Sequence, residues 1–280
     1  MTSETTYVHA ALLDVLGYRH RLSQDRQSGS LDFKDALQRA MTVLSNFNEA
    51  EFSYQAISDT IIVTCARRDG FVELLKVLKK VVLGFLAEGL FVRGGVTYSP
   101  HFKSSHVTYS HALAVAHELE SKTAIYPRVV IDHNILEMFK VANETKSITD
   151  AELICERNGV HFLNIIDPDN WAQAYKWARE MFAREKTFLL RKEQEFLKHS
   201  WFEEYLFNSP HRKPDVERYI PTMTLLRPDP PLPSARPPTT EPVAAMQEFA
   251  QRAGGLRPST PLPSRKTKAN SRNKKRKQLP

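Results

Sequence analysis

Two aspartates carry the chemistry this sequence suggests. Asp14 follows the apolar run 7–13 and precedes Gly17 by three residues, while Asp59 follows Ser58 between two further apolar runs, 52–57 and 60–65. If these runs are neighbouring strands, one sheet edge presents both carboxylates together. An all-oxygen pair without imidazole or thiolate suits Mg2+ or Mn2+, which are held by a few carboxylates plus substrate phosphates. Gly17 would let the turn bring backbone amides and a helix N-terminus against a phosphate. Taken singly, each acid can instead cap a helix or a hairpin, so the pair matters more than either member.

The elements that must position this pair follow from the spacing of apolar residues. Residues 7–13 read as a strand, and the pattern turns helical from Gly17 through Arg26. A second helix is expected over 31–46, where Phe33, Leu37, Ala40, Met41 and Leu44 recur near helical spacing. Residues 52–57 and 60–65 read as strands meeting at a tight hairpin that carries Asp59. Then come a helix at 71–87 ending at Gly89, strands at 90–98 and 105–109, a helix at 112–122 and a strand at 128–131. This order predicts an α+β fold, a ferredoxin-like sandwich with one sheet and its helices on one face.

Downstream, 153–155 and 160–165 flank Arg157-Asn158-Gly159 as a second hairpin. Residues 168–207 read as helical almost throughout, with Pro168 suited to a first helical position. Such a helix would reach roughly 60 Å at 1.5 Å per residue, so it must break or pack on another subunit. Three regions result: 1–140 as the core, 141–209 as hairpin and long helix completing it, and 210–280 as a tail.

Composition separates the tail from the rest. The 280 residues carry a net charge of +7, but residues 211–280 hold 15 Lys/Arg against 5 Asp/Glu, and residues 1–210 hold 24 against 27. Fourteen of the 17 prolines lie from Pro210 onward, so the tail reads as disordered and the basic balance belongs to it. A basic nucleic-acid-binding fold is therefore not expected. The run 265–277, eight basic residues and no acid, could attract nucleic acid or anionic lipid by charge alone. Cys65 and Cys155 lack metal-type spacing and fit a reducing cytoplasm. No stretch reaches the roughly 18 apolar residues a membrane span requires, and the N-terminus has no basic leader pattern.

Two other patterns point to structure rather than to chemistry. His101, His106, His111 and His117 recur at five, five and six residues, which is no metal signature. Trp171, Tyr175, Ala178 and Phe182 recur at three and four residues, as on a buried helix stripe.

The blocks Leu12-Leu13-Asp14-Val15-Leu16-Gly17-Tyr18, Ile57-Ser58-Asp59-Thr60 and Val92-Arg93-Gly94-Gly95 stand in order along the chain. They are followed by Tyr109-Ser110-His111, Leu119-Glu120-Ser121-Lys122 and Tyr126-Pro127-Arg128. This succession resembles class III nucleotide cyclases and, more closely, the bacterial pyrimidine cyclases of the Pycsar antiphage system. The likeness runs from about Tyr7 to Asn208.

The resemblance implies a role for each matched residue. Asp14 and Asp59, with the Val15 carbonyl, would hold two Mn2+ or Mg2+ ions. Leu16-Gly17-Tyr18 would cradle the triphosphate, and Arg93 would contact the β- and γ-phosphates. Class III adenylate cyclases read adenine with a lysine and an aspartate at positions occupied here by Gln55 and Val107, so neither supplies the expected charge. Tyr54 stands where the pyrimidine cyclases carry a tyrosine that limits the pocket, although a ring on a strand can also be core packing. The asparagine and arginine that purine cyclases place on the following helix are Ala114 and Glu118 here. Lys122 or Arg128 of a neighbouring subunit would then supply the missing positive charge, unless each only pairs with Glu118 or Glu120. Ser110 stands for a glycine, and Thr97-Tyr98 for a small residue and glycine.

The implied protein is a cytoplasmic homodimer that converts UTP or CTP to the 3′,5′-cyclic nucleotide and pyrophosphate, its product activating a downstream effector. Two alternatives remain: a cyclase-like nucleotide sensor without turnover, and a nucleic-acid-associated protein acting through its basic tail.

Overall fold

In a computed structural model of the chain, residues 5–46, 48, 50–103 and 108–223 are described. The expectations for His106, Val107 and the run 265–277 lie outside the described residues.

The sheet is built around β1 (Thr6–Val15), which pairs antiparallel with β3 (Thr60–Cys65) on one side and β4 (Val92–Lys103) on the other. β2 (Phe52–Ile57) forms the edge beyond β3, and β5 (Thr108–Ser110) pairs with β4. Past β4 lie β6 (Val129–Ile131), parallel to it, then β8 (Val160–Leu163) and β7 (Ile154–Arg157). The full order is β2-β3-β1-β4-β6-β8-β7. Its first four strands have the ferredoxin-like arrangement, with crossovers through α2 (Asp32–Met41) and α3 (Phe71–Ala87). The fold is α+β.

Alternation along β1 decides which side chains meet which layer. Ala11, Leu13 and Val15 enter the main core with Leu74, Leu78, Val81 and Phe85 of α3. Leu74, Leu78, Val81 and Phe85 lie at steps of four, three and four, the stripe of a helix on a sheet. Each such fully buried side chain contributes roughly 1.5–3 kcal/mol relative to exposure. The same core continues through Phe162 and Trp171 to Phe207, so the second hairpin and the last helices complete one hydrophobic body.

Helices do not keep to one face, as the sequence had suggested. Val8 and Ala10, the alternate residues of β1, cluster with Ala112 of α4 (His111–Glu118) on the opposite side. Small residues permit this close layer. A Cβ on Gly95 would lie 2.5 Å from the Ala116 carbonyl oxygen and 2.6 Å from Leu119 Cβ. The helix expected over 112–122 changes character there, continuing from α4 as a π-turn over Leu119–Thr123.

Of its two expected outcomes, the long C-terminal helical segment takes the first and breaks. It is two helices, α7 (Trp171–Leu189) and α8 (Glu193–Asn208), with Arg191 at φ +64° in the break. Folding back lets both apolar faces reach one core, whereas a single rod would leave part of its stripe unburied. Trp171 Nε1 donates to the Leu206 carbonyl at 2.8 Å, and Glu193 and Glu195 lie in the first turn of α8, where the helix dipole favours acids. The residues after Pro210 are not all tail: the buried Glu203 carboxylate accepts from the Tyr219 and Ile220 amides at 2.6 and 2.8 Å.

Candidate functional site

Asp14 lies directly opposite Thr60 of β3 and Arg93 of β4. Directly paired antiparallel residues have Cα atoms about 4.5–5.5 Å apart and share a sheet face. Asp59, next to Thr60 at the hairpin tip, is tied to β1 because the Val15 amide donates to the Asp59 carbonyl at 3.0 Å. The tight turn requires φ +59° at Ser58. Residues 45 apart in sequence are thus brought to one edge, with Asp14 and Asp59 both half-buried.

Arg93 completes the row. Its Nε donates to Asp14 Oδ2 at 3.1 Å, and its Nη2 forms an ion pair with Glu120 Oε1 at 2.7 Å. The second contact lacks hydrogen-bond alignment, leaving Glu120 Oε1 buried without a hydrogen-bond partner. Glu120 is 4% exposed and belongs to the π-turn lying over Gly95. Burial raises its carboxyl pKa; the Arg93 charge opposes that rise, and the charges of Asp14 and Asp59 add to it. Three carboxylates therefore sense one another around a single guanidinium.

Sequence reasoning did not place Glu120 in the site. The available signal was Ala112, Ala116 and Glu120 at four-residue steps, a carboxylate continuing a small apolar stripe. Acids are almost never fully buried unless paired.

The other expected residues separate into groups. Gly17 takes φ +78°, and α1 (Tyr18–Ser28) begins after it without a side-chain cap, so the amides of that first turn have no side-chain acceptor. The Leu16 amide is occupied, donating to the Phe91 carbonyl at 2.9 Å. Any phosphate cradle must therefore use amides from Gly17 onward. Gln55 pairs with Ile62, which pairs with Leu12, two residues before Asp14 on β1, and this register puts Gln55 on the Asp14 face.

Tyr54 is a correction. Its partner Val63 pairs with Ala11, so alternation puts Tyr54 on the face opposite Asp14. It cannot close a pocket on Asp14's face within this chain, and at 41% exposure it is not core packing either. Lys122, 72% exposed, pairs with Glu118 at 2.7 Å, and Ala114 and Glu118 are exposed on α4. Arg128 donates to the Thr123 carbonyl and lies 5.6–5.7 Å from the ring centres of Tyr126, Phe162 and Trp201. Burial lowers its pKa.

Ser110 and Thr97 have local roles. The Ser110 hydroxyl accepts from the Leu113 amide and caps α4, while buried Thr97 donates to Asp132 at 2.6 Å.

The donor set fits hard divalent cations. Asp14 and Asp59 offer oxygen only, and with Glu120 they outnumber the one guanidinium by two charges. Among the described residues, no group of three or more His, Cys, Asp or Glu is placed to hold a metal. The remaining ligands would have to be backbone carbonyl, water and substrate phosphate, as Mg2+ sites commonly arrange.

The sequence matches no protein-family model and no curated protein. Among solved structures, the chain is similar to a bacterial light-regulated adenylyl cyclase at 12% identity and TM-score 0.37, covering 49% of this chain and 46% of that one. It is similar to the monomeric guanylyl cyclase domain of the RhoGC fusion protein from the aquatic fungus Blastocladiella emersonii, at 10% identity and TM-score 0.37, covering 50% and 90%. A class III adenylyl cyclase-like ATP-binding protein from Pseudomonas aeruginosa gives 10% identity and TM-score 0.38, covering 54% and 41%. The chain spans about half the length of the light-regulated cyclase. No helix among the described residues is long and apolar enough to cross a membrane.

Proposed function

We propose that the protein is a nucleotide cyclase acting on UTP or CTP. The single observation that carries this reading is the convergence of Asp14 and Asp59 at one sheet edge, beside Arg93. The 3′-oxygen of the ribose would attack the α-phosphorus, forming the cyclic ester as the bond to the β-phosphate's bridging oxygen breaks. The hydroxyl proton passes to solvent, and pyrophosphate leaves with the former bond's electron pair. Two divalent ions held by Asp14, Asp59 and the Val15 carbonyl would supply acidity to the 3′-hydroxyl and neutralise the leaving group.

The chain's own residues orient and stabilise. The uncapped first turn of α1 would receive phosphate oxygens, and Arg93 would offset phosphate charge. Gln55 presents both an amide donor and an acceptor, which suits the edge of uracil or cytosine better than a lysine would. A homodimer is part of this reading, supported by the exposed Tyr54 and Ile57 on edge strand β2. The cyclic product would be the signal for a separate effector.

The test is incubation of purified protein with each of the four NTPs and Mn2+, followed by mass spectrometry. Cyclic UMP or cyclic CMP is expected, with loss on Asp14→Asn or Asp59→Asn. A second reading, nucleotide binding without turnover, is favoured by Lys122 and Arg128 each having partners within the chain. Nucleotide uptake with no cyclic product would select it.

A further inference from the structure

We infer that Glu120 is a positioning residue that anchors Arg93 at one end, so that the guanidinium is a releasable latch on Asp14 and a divalent cation binds there by displacing only that other end. The inference rests on the metal-site reading above and assigns its control to two residues of this chain.

The geometry sets the two ends of the latch apart. Arg93 uses different nitrogens for its two partners, Nε toward Asp14 and Nη2 toward Glu120. A planar guanidinium can span two carboxylates in this way; an ammonium is a single point. The Glu120 end, although not aligned as a hydrogen bond, is the one that holds, because releasing it would leave a buried carboxylate without a counter-charge, and its π-turn rests on the bare Cα of Gly95. π-turns within helices are frequent at functional sites. The Asp14 end is the releasable one, half-buried at the strand terminus beside the Asp59 turn.

Charge then gives the direction of exchange. Arg93 and a divalent cation would compete for the same Asp14 carboxylate, and their like charges oppose simultaneous close binding. With Asp14 given over to the cation, Arg93 retains Glu120 and has its Nε edge free for a phosphate oxygen. Cation and triphosphate should therefore favour each other's binding, and that coupling is reciprocal. Without the Glu120 charge, Arg93 would lean wholly on Asp14, and the site would also lose one attractive carboxylate. Both effects weaken cation binding.

The experiment measures Mn2+ uptake by the full chain from the electron paramagnetic resonance signal of free Mn2+, with and without UTP or CTP, for wild type, Arg93→Met, Glu120→Gln and the double variant. Arg93→Met is expected to bind Mn2+ about tenfold more tightly without nucleotide, the effect of removing about 1.4 kcal/mol of competition. Glu120→Gln is expected to bind several-fold more weakly, and the double variant to bind more tightly than Glu120→Gln alone, falling below Arg93→Met only by the attraction of the missing carboxylate. Nucleotide should tighten Mn2+ binding less in Arg93→Met than in wild type. Arg93→Lys, which keeps the charge but not the fork, provides a second variant should burial of an unpaired Glu120 prevent Arg93→Met from folding, and it too should bind more tightly than wild type.

Equal Mn2+ affinity in wild type, Arg93→Met and Arg93→Lys overturns the latch while leaving the metal site standing. Independent, additive effects of Arg93→Met and Glu120→Gln overturn the positioning role. A wild-type chain that takes up no Mn2+, or takes it up equally after Asp14→Asn, removes the metal-site reading and the latch with it.

Discussion

Gly95→Ala tests whether the π-turn is seated on the sheet as closely as described. The added methyl would lie 2.5 Å from a backbone carbonyl oxygen, 2.6 Å from Leu119 Cβ and 3.2 Å from the Glu120 amide nitrogen. None of these is the tip of a flexible side chain, so α4 and its π-turn must rise from the sheet or β4 must bend. Overpacking of this kind costs roughly 1–3 kcal/mol, offset by roughly 0.4–1 kcal/mol because alanine restricts the unfolded chain. A net loss of about 1–2 kcal/mol follows, a fall in Tm of about 2–8 °C for a domain of this size. Thermal and urea unfolding followed by circular dichroism would measure it. Gly159→Ala is the control, since its added Cβ meets nothing within 4 Å and only the φ of +71° opposes it, about 1–2 kcal/mol by the left-handed penalty alone. The distinguishing readout is the site: Gly95→Ala should disturb Glu120 and alter Mn2+ uptake, and Gly159→Ala should not. A Gly95→Ala chain with wild-type stability and wild-type Mn2+ affinity would refute the close-layer argument.

Glu203→Ala leaves the Tyr219 and Ile220 amides without their charged acceptor; a loss of about 3–6 kcal/mol in urea unfolding is expected, from roughly 1.5–3 kcal/mol for each of the two bonds to a charged group. Burial alone would raise the Glu185 carboxyl, but the His199 hydrogen bond and the Arg21 charge overcome it and hold the pKa below the usual 4.5. Its contribution is present above that value and lost as pH falls through the folded pKa, so the stability gap between wild type and Glu185→Gln should narrow below about pH 4.5. Burial lowers His9 from 6.5 despite its hydrogen bond to the Arg68 carbonyl. Below pH 6.5 the unfolded chain takes up a proton that the folded one resists, so the urea midpoint should fall between pH 7 and 5.5, and the fall should be smaller in His9→Gln.

Much of the fold was legible because its signals are local. The hairpin 52–65 and helix 71–87 emerge at their predicted bounds, since a β-branched run over 60–64 beside the Ser58-Asp59 turn and a helical Leu/Val/Phe stripe specify them without help. Helix length called for a break or a second subunit, but the position of the break at 190–192 was not legible: Leu190-Arg191-Lys192 contains no glycine or proline, and Arg191 nonetheless takes φ +64°. The second helix layer depended on what Gly95 lacks, which matters only once β1 and β4 are aligned. At the site, the meeting of Asp14 and Asp59 followed from element order. The face of Tyr54 did not, because one residue of strand register reverses it. Glu120 escaped because its partner Arg93 lies on a strand 27 residues earlier.

The Glu203 clasp has a practical corollary for shortening the chain. Cutting at Pro210, where composition changes, would discard Ile220 and uncover Phe182 and Leu189, which cluster with it, inviting self-association through bare apolar surface. Ending after Met223 keeps the clasp closed, so the compositional border and the mechanical border of this domain lie more than a dozen residues apart.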